Sequence, residues 1–133
     1  MIRRLAPLVP LVLAVACGSP MGVTPRVAFG VPFTLLPGQA ASVGDGVVAV
    51  RYDRLLGDGR CPPRAMCVWQ GDATIAVTIL PMAGAAHSAE LHTTLEPRAA
   101  THAGLTVALV SLGASIGDDG APRVPRAELV VTR

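Results

Sequence analysis

Two residue types are missing from this 133-residue chain, and charge is scarce in it. It has no lysine and no asparagine, all eleven of its basic residues are arginine, and only 15% of its residues are charged. Alanine, glycine and proline are abundant. This bias is typical of a GC-rich coding sequence, so it carries little information about binding partners.

The chain also lacks a strong excess of charge of one sign. Its formal net charge is +2, and without Arg3 and Arg4 it has nine basic and nine acidic side chains. Nucleic-acid binding needs a basic surface. The remaining arginines are scattered and do not form the basic cluster that attracts an anionic membrane. The composition therefore predicts no nucleic-acid partner and no electrostatic membrane patch.

No apolar run is long enough to cross a membrane, but one near the N-terminus has another meaning. Arg3 and Arg4 precede an apolar stretch from Leu5 to Ala16, in the order of the charged and hydrophobic regions of a secretory signal. The stretch is shorter than the roughly 20 residues that span a bilayer. We therefore expect residues 1–16 to be a signal peptide that is cleaved from an exported protein.

The residues around Cys17 refine this expectation. Ala14-Val15-Ala16-Cys17, followed by Gly18, resembles the lipobox of bacterial lipoproteins, although Ala14 stands where that pattern most often has leucine. The resemblance implies that Cys17 carries the lipid, including fatty acids such as palmitate, and that residues 17–28 are a lipidated N-terminus and tether. The alternative is an ordinary signal peptide with an incidental cysteine.

The lipobox resemblance also implies a location and a membrane contact. The chain would be attached to a membrane of the cell envelope through its N-terminal lipid. Gly18 is not the aspartate that favours inner-membrane retention, so in a bacterium with two membranes the expected place is the outer membrane, facing the periplasm.

The number of cysteines agrees with lipidation. Three cysteines in an exported chain leave one odd thiol, and a lipid on Cys17 leaves Cys61 and Cys67 as a pair in an oxidising compartment. Five residues separate that pair, which fits neither a usual zinc knuckle nor the Cys-x-x-Cys spacing of redox sites. We therefore predict a structural disulfide. In the chain-entropy model it would stabilise the fold by roughly 2.4 kcal/mol.

No metal or cofactor site is predicted elsewhere. His87 and His92 are five residues apart, so in one continuous strand they point to opposite faces, and His102 lies in a turn-like stretch. Asp118-Asp119-Gly120 lacks the alternating oxygens and distal glutamate of a calcium loop.

From residue 29 onward the pattern is that of strands and turns. Short runs rich in Val, Ile and Thr, with an apolar period of two, alternate with Gly, Pro and Asp clusters, and no segment has a helical stripe. We predict an all-β fold, a single small β-sandwich or barrel-like domain of six to seven strands in residues 29–133. The segments predicted to form strands are VPFTLL, GVVAVRYDRLL, ATIAVTIL, HSAELHTTL, LTVALVSLGASI and AELVVT.

Aromatic residues make up only 3% of the chain. The core must therefore consist mainly of Val, Leu, Ile and Ala. The few large side chains expected in it are Phe29, Phe33, Tyr52 and Trp69.

The cysteine segment is predicted to connect two strands and to help fill the core. Pro62 stiffens one side of the loop, and Trp69 is expected to pack where the following strand enters the core. Gly71 would allow a bulge or a close backbone approach. Asp58 and Arg60 either brace the loop or form a surface ion pair of little energetic weight.

The same segment carries a family resemblance. Asp58-Gly59-Arg60-Cys61-Pro62 and Cys67-Val68-Trp69-Gln70-Gly71 resemble the D-S-R-C-P-x4-C-x-W-x-G signature of small uncharacterised bacterial envelope lipoproteins, with Gly59 in place of the usual serine. The resemblance implies a lipid-anchored β domain and no particular activity. The order of the flanking motifs is similar too, with Phe33, Leu35, Gly38 and Gln39 before the cysteines and Leu91, His92 and Thr93 after them.

No constellation of residues predicts catalysis. Ser111 and Ser115 have no histidine near them in sequence, and triad partners cannot be inferred from distance along the chain. We expect the chain not to be an enzyme but an envelope module that binds or supports another envelope protein. The alternative is a protease-inhibitor-like protein, because Arg64 lies inside a proline-stiffened loop that would be preorganised for binding.

Overall fold

The computed structural model describes residues 24–133, so the predicted signal peptide, Cys17 and most of the predicted tether lie outside the described part. Residues 24–133 are all-β and contain no helix that could cross a membrane. They form a small sandwich-like domain of nine strands: β1 (Arg26–Val27), β2 (Phe33–Leu35), β3 (Ala40–Val43), β4 (Val48–Asp58), β5 (Ala73–Pro81), β6 (His87–His92), β7 (Ala99–His102), β8 (Leu105–Leu112) and β9 (Ala127–Thr132).

The strands form two sheets. One has five strands in the order β1-β3-β4-β5-β6, and the other has four in the order β2-β9-β8-β7. Neighbouring strands are antiparallel except for β1, which is parallel to β3. On one side of the sandwich the sheets meet where His87 of β6 and His102 of β7 stack, with ring centroids 4.8 Å apart.

The core lies between the sheets and follows the predicted period of two. Alternate residues are buried in the first half of β4, from Val48 to Tyr52, and along most of β5, β8 and β9. The apolar segment LTVALVSLGASI supplies β8, which lies between β7 and β9. The fully buried large side chains are Leu35, Val43, Val48, Val50, Tyr52, Ile75, Val77, Ile79, Leu91, Val107, Leu129 and Val131.

The large aromatic side chains differ in how far they are buried. Tyr52 is fully buried and Phe33 is 8% exposed. Phe29 is only partly buried against the core, with the Arg133 guanidinium 4.4 Å from the centre of its ring. The prediction that Trp69 fills the core was wrong, because its side chain is 57% exposed. The strand after it enters the core only at Ala73, and Trp69 lies in the loop beyond the end of the sheet.

Three of the nine strands were not among the segments predicted from sequence. They are the short strands β1, β3 and β7, of two, four and four residues. β1 begins at Arg26, so the sheet starts three residues before the predicted domain boundary at residue 29. Arg26 and Val27 are therefore part of the sheet and not of the tether.

Candidate functional site: the stapled loop

The connection between β4 and β5 is a narrow hairpin closed by a disulfide. We call residues 61–70 the stapled loop. Below it the ladder of the two strands continues, with the Gly59 amide donating to the Asp72 carbonyl and the Cys61 amide to the Gln70 carbonyl, both at 2.8 Å. The predicted disulfide between Cys61 and Cys67 is confirmed, with the two Cα atoms 5.9 Å apart. The loop is thus cross-linked directly above paired backbone.

Gly71 allows the two sides of the hairpin to approach each other. Its φ is +75°, in the left-handed region. A Cβ atom there would lie 2.0 Å from the Gly59 carbonyl oxygen and 2.7 Å from the Arg60 Cα. Since both neighbours are backbone atoms, they cannot rotate away, and only glycine fits without moving the chain.

An ion pair braces one side of the base of the loop. Arg60 donates from Nε to Asp58 Oδ1 at 2.8 Å and from Nη2 to Asp58 Oδ2 at 2.6 Å. The same guanidinium donates to the carbonyls of Leu112 at 2.7 Å and Gly113 at 2.8 Å. The Ser115 hydroxyl donates to Asp58 Oδ2 at 2.6 Å. We call Asp58, Arg60 and Ser115 the Asp58 cluster. It joins the base of the loop to the end of β8, a strand of the other sheet, and to the segment that follows β8.

The Asp58 cluster is more than a loose surface pair. The Asp58 and Arg60 side chains are only 10% and 23% exposed. Hydrogen bonds from the Arg60 side chain, with help from Ser115, lower the pKa of Asp58 from 3.8 to about 2, although burial opposes the shift. The hydrogen bond to Asp58 also raises the pKa of Arg60. Both groups are therefore charged near neutral pH, which makes this a permanent brace and not an acid or base.

A second aspartate braces the opposite side of the base. Asp72 Oδ2 is 2.6 Å from His92 Nδ1, and Oδ1 accepts hydrogen bonds from the Thr94 amide at 2.8 Å, the Leu95 amide at 3.2 Å and the Thr93 hydroxyl at 3.2 Å. Burial opposes ionisation, but these hydrogen bonds hold the pKa of Asp72 well below its usual range. Asp72 thus ties the loop to the turn after β6.

Sequence reasoning singled out Asp58 and Arg60 but missed Asp72. The available signal was its position, directly after Gly71 and before the alternating strand. From the sequence, His92 was considered as a possible metal ligand and as part of the flanking Leu91-His92-Thr93 motif, and Ser115 was considered only as a possible catalytic hydroxyl. The structure brings both to the base of the loop, where each contacts an aspartate.

The outer part of the stapled loop is apolar and exposed. Met66 and Val68 are fully exposed, at 103% and 105%, and Trp69 lies beside them at 57%. We call these three residues the apolar tip. Pro62 and Arg64 are exposed too, and residues 61–71 contain no carboxylate. Large apolar side chains therefore protrude from a braced and cross-linked support.

A cleft of about 330 Å³ lies between the stapled loop and the segment after β8. Its lining includes Asp58, Arg60, Pro62, Leu112 and Ser115. The charged groups in this cleft are already paired with each other, so none is a free nucleophile or base. Within residues 24–133 there is no group of three or more His, Cys, Asp or Glu residues that could hold a metal ion.

Comparison with known proteins adds no family or function. A scan against protein-family models found no match, and neither the search of curated proteins nor the search of solved structures found one. Functional inference therefore depends on the geometry of the loop and on the sequence before residue 24.

Proposed function

We propose that this chain is a lipid-anchored protein of the bacterial cell envelope whose β-sandwich presents the stapled loop as a non-catalytic binding surface. The observation that carries the proposal is the apolar tip. Met66, Val68 and Trp69 expose apolar surface to water, and large exposed apolar groups on a soluble domain are typical of interaction sites. Tryptophan is also among the residues that most often dominate binding energy.

The support beneath the tip favours binding over mere mobility. The disulfide cross-links the loop, and the Asp58 cluster and the hydrogen bonds of Asp72 hold the two sides of its base. A surface that is ordered before it binds loses less conformational entropy on association. A disulfide and two networks of hydrogen bonds therefore stabilise a loop that contributes little to the core.

The chemistry near the loop supports a non-catalytic role. Catalysis by side chains needs a nucleophile, acid or base that is free to reach a substrate. Asp58 and Arg60 neutralise each other, and Asp72 is saturated by donors from the chain. The polar groups of this region therefore stabilise the conformation of the loop.

The anchor rests on the sequence and has a direct test. Wild type and Cys17→Ser are expressed in a bacterial host with a radioactive fatty acid. The wild type should be labelled and processed, whereas the variant should be unlabelled and accumulate as the precursor. Equal labelling of both proteins would refute the anchor.

The binding role is tested by oxidation of methionines in intact cells. Met66 is in the tip, and Met82, which is 74% exposed, lies at the opposite end of the sandwich and serves as an internal control. A mild oxidant converts exposed methionine to its sulfoxide, and peptide mass spectrometry measures each site. If the tip is covered in the envelope, Met66 should be protected in cells and not in the purified protein. Equal oxidation of Met66 and Met82 in both samples would refute a covered tip.

No observation favours the protease-inhibitor alternative. Arg64 is exposed, as an inhibitory side chain must be, but its φ is +68°. Substrate-like inhibitors present that side chain from extended backbone, and the left-handed region is a different conformation. We expect the purified protein to leave a trypsin-like protease uninhibited. Inhibition that Arg64→Ala abolishes would favour the alternative.

A further inference from the structure

We infer that the apolar tip contacts the lipid surface to which the chain is anchored. The inference rests on the lipid anchor proposed at Cys17 and names what the binding surface binds, a phospholipid bilayer. It depends on three observations: the direction in which the chain leaves the sheet toward its N-terminus, the length of chain between Cys17 and the sheet, and the chemistry of the tip.

The direction of the chain follows from strand pairing. β1 is parallel to β3, with Arg26 opposite Ser42 and the Ser42 amide donating to the Pro25 carbonyl at 2.9 Å. β3 is antiparallel to β4, with Ala40 opposite Arg51. Followed backward from Arg26, the chain therefore runs along the direction in which β4 advances. That direction leads to the end of the sandwich that carries the stapled loop.

The segment from Cys17 to Arg26, when extended, is about as long as the distance along the sheet from Arg26 to the base of the stapled loop. Ser42 is paired with Ala49, and β4 continues from Ala49 to Asp58, at the base of the stapled loop. At about 3.3 Å per residue this stretch is at most ~30 Å long, and less because of its two bulges. Eight residues lie between Cys17 and Arg26, and the nine Cα–Cα steps from one to the other span at most ~32 Å when the chain is extended. A lipid on Cys17 can therefore reach the level of Asp58, but the tether is too short to lift the protruding tip far from the membrane.

The chemistry of the tip suits a lipid surface. Met66 and Val68 are fully exposed, so they form a convex projection, which a fluid bilayer can accept without a matching pocket. Trp69 combines a large apolar ring with an N–H donor, the combination enriched where hydrocarbon meets headgroups. Residues 61–71 carry Arg64 and no acidic group, so the loop itself brings no carboxylate to the lipid phosphates. A basic side chain beside an apolar one is typical of interfacial segments.

The opposite end of the sandwich also exposes a large apolar side chain, Met82, and carries the acidic residue Asp45 in the turn before β4. Exposed acidic residues occur at both ends, since Asp118 and Asp119 lie in the segment after β8, on the side of the stapled loop. Residues 24 and 25, in contrast, lead away from the end with Met82 and toward the end with the stapled loop. The two ends thus provide a matched comparison within one protein.

Trp69 is the only tryptophan and therefore reports on the tip directly. Lipidated full-length protein is reconstituted into phosphatidylethanolamine and phosphatidylglycerol vesicles with brominated acyl chains, and tryptophan fluorescence is measured. The control carries Trp69→Phe and Met82→Trp, which moves the probe to the opposite end. We expect the emission of Trp69 to shift to the blue and to be quenched several-fold more by brominated lipid than that of the control. Iodide in the water should show the reverse order.

A third protein carries Met66→Ser and Val68→Ser. Because both side chains are fully exposed, these changes should not disturb folding. Fatty-acid labelling and flotation with vesicles should be unchanged, whereas quenching of Trp69 by brominated lipid should fall several-fold.

The outcomes separate the inference from the proposed function. If the protein is labelled and floats with vesicles but Trp69 is quenched no more than the control, the lipid contact is wrong and the anchor stands. The same holds if Trp69 is protected only after envelope proteins are added, since the tip would then bind a protein. A chain that is neither labelled nor vesicle-bound would refute both the anchor and the lipid contact.

Discussion

Asp58→Asn should destabilise the domain by removing the charge on which the Asp58 cluster depends. The carboxylate accepts four hydrogen bonds, three from Arg60 and one from Ser115. The neutral amide of asparagine has only one acceptor oxygen. Its NH₂ group, itself a donor, would face some of the Arg60 and Ser115 donors that the carboxylate accepts. Because the Asp58 side chain is only 10% exposed, water compensates little for the loss.

The depressed pKa sets the magnitude. Asp58 has a folded pKa of about 2 against an ordinary 3.8, and each pH unit corresponds to about 1.4 kcal/mol, so ionisation of this group contributes about 2 kcal/mol. The folded pKa is the lower one, so this stabilisation is complete above the unfolded pKa. It is lost as the pH falls from about 5 through about 2.

Urea unfolding of wild type and Asp58→Asn at several pH values measures this contribution. We expect the variant to be less stable by about 2 kcal/mol at pH 7, and the gap should shrink as the pH approaches 2. Asp118→Asn is the control, because Asp118 is exposed, and it should change stability by less than about 0.5 kcal/mol. A gap below about 0.5 kcal/mol at pH 7 would show that the pair is an ordinary surface ion pair. A gap that persists unchanged at low pH would show that charge is not its cause.

Three further substitutions test the loop by thermal or urea unfolding. Gly71→Ala should cost more than about 2 kcal/mol, since it adds a backbone clash to an unfavourable φ. Gly120→Ala, at φ +76° with no atom within 4 Å of the new Cβ, should cost only about 1 kcal/mol, and equal losses would refute the clash. Replacing Cys61 and Cys67 by serine should cost about 2.4 kcal/mol, and an unchanged midpoint would refute stabilisation by the disulfide. Trp69→Ala should cost less than about 2 kcal/mol because the ring is 57% exposed, and a loss of about 3 to 5 kcal/mol would instead indicate a core residue.

Apart from the three-residue strand β2, the strands that sequence predicted are the long ones, most of which have two-residue alternation. ATIAVTIL and AELVVT correspond closely to β5 and β9, because burial of one face imposes that alternation on the sequence. β3 and β7 have the sequences AASV and AATH. Alanine and serine have weak strand preference, so these strands depend on their neighbours in the sheet and leave little local signal.

In the site too, contacts between residues close in sequence could be predicted, whereas contacts between distant residues could not. The disulfide was predictable because its two cysteines are close in sequence and the lipobox resemblance assigns the third cysteine, Cys17, to a lipid. The pairing of Asp58 with Arg60, two residues away, was also predicted. The contact with Ser115 was not, since Ser115 is 57 residues away and meets Asp58 only when the two sheets pack. The error at Trp69 arose because hydrophobicity alone cannot distinguish a core residue from an exposed residue in a loop that extends beyond the sheet.

The parallel pairing of β1 with β3 has a mechanical consequence. A pulling force on residue 24 that is directed along β1 slides the strand past its neighbour. The hydrogen bonds from the Ser42 amide to the Pro25 carbonyl and from the Gly44 amide to the Val27 carbonyl, both 2.9 Å long, then bear the load together. A force perpendicular to the strand would break them one after the other. The domain is thus arranged to resist tension transmitted through its N-terminal segment by shear.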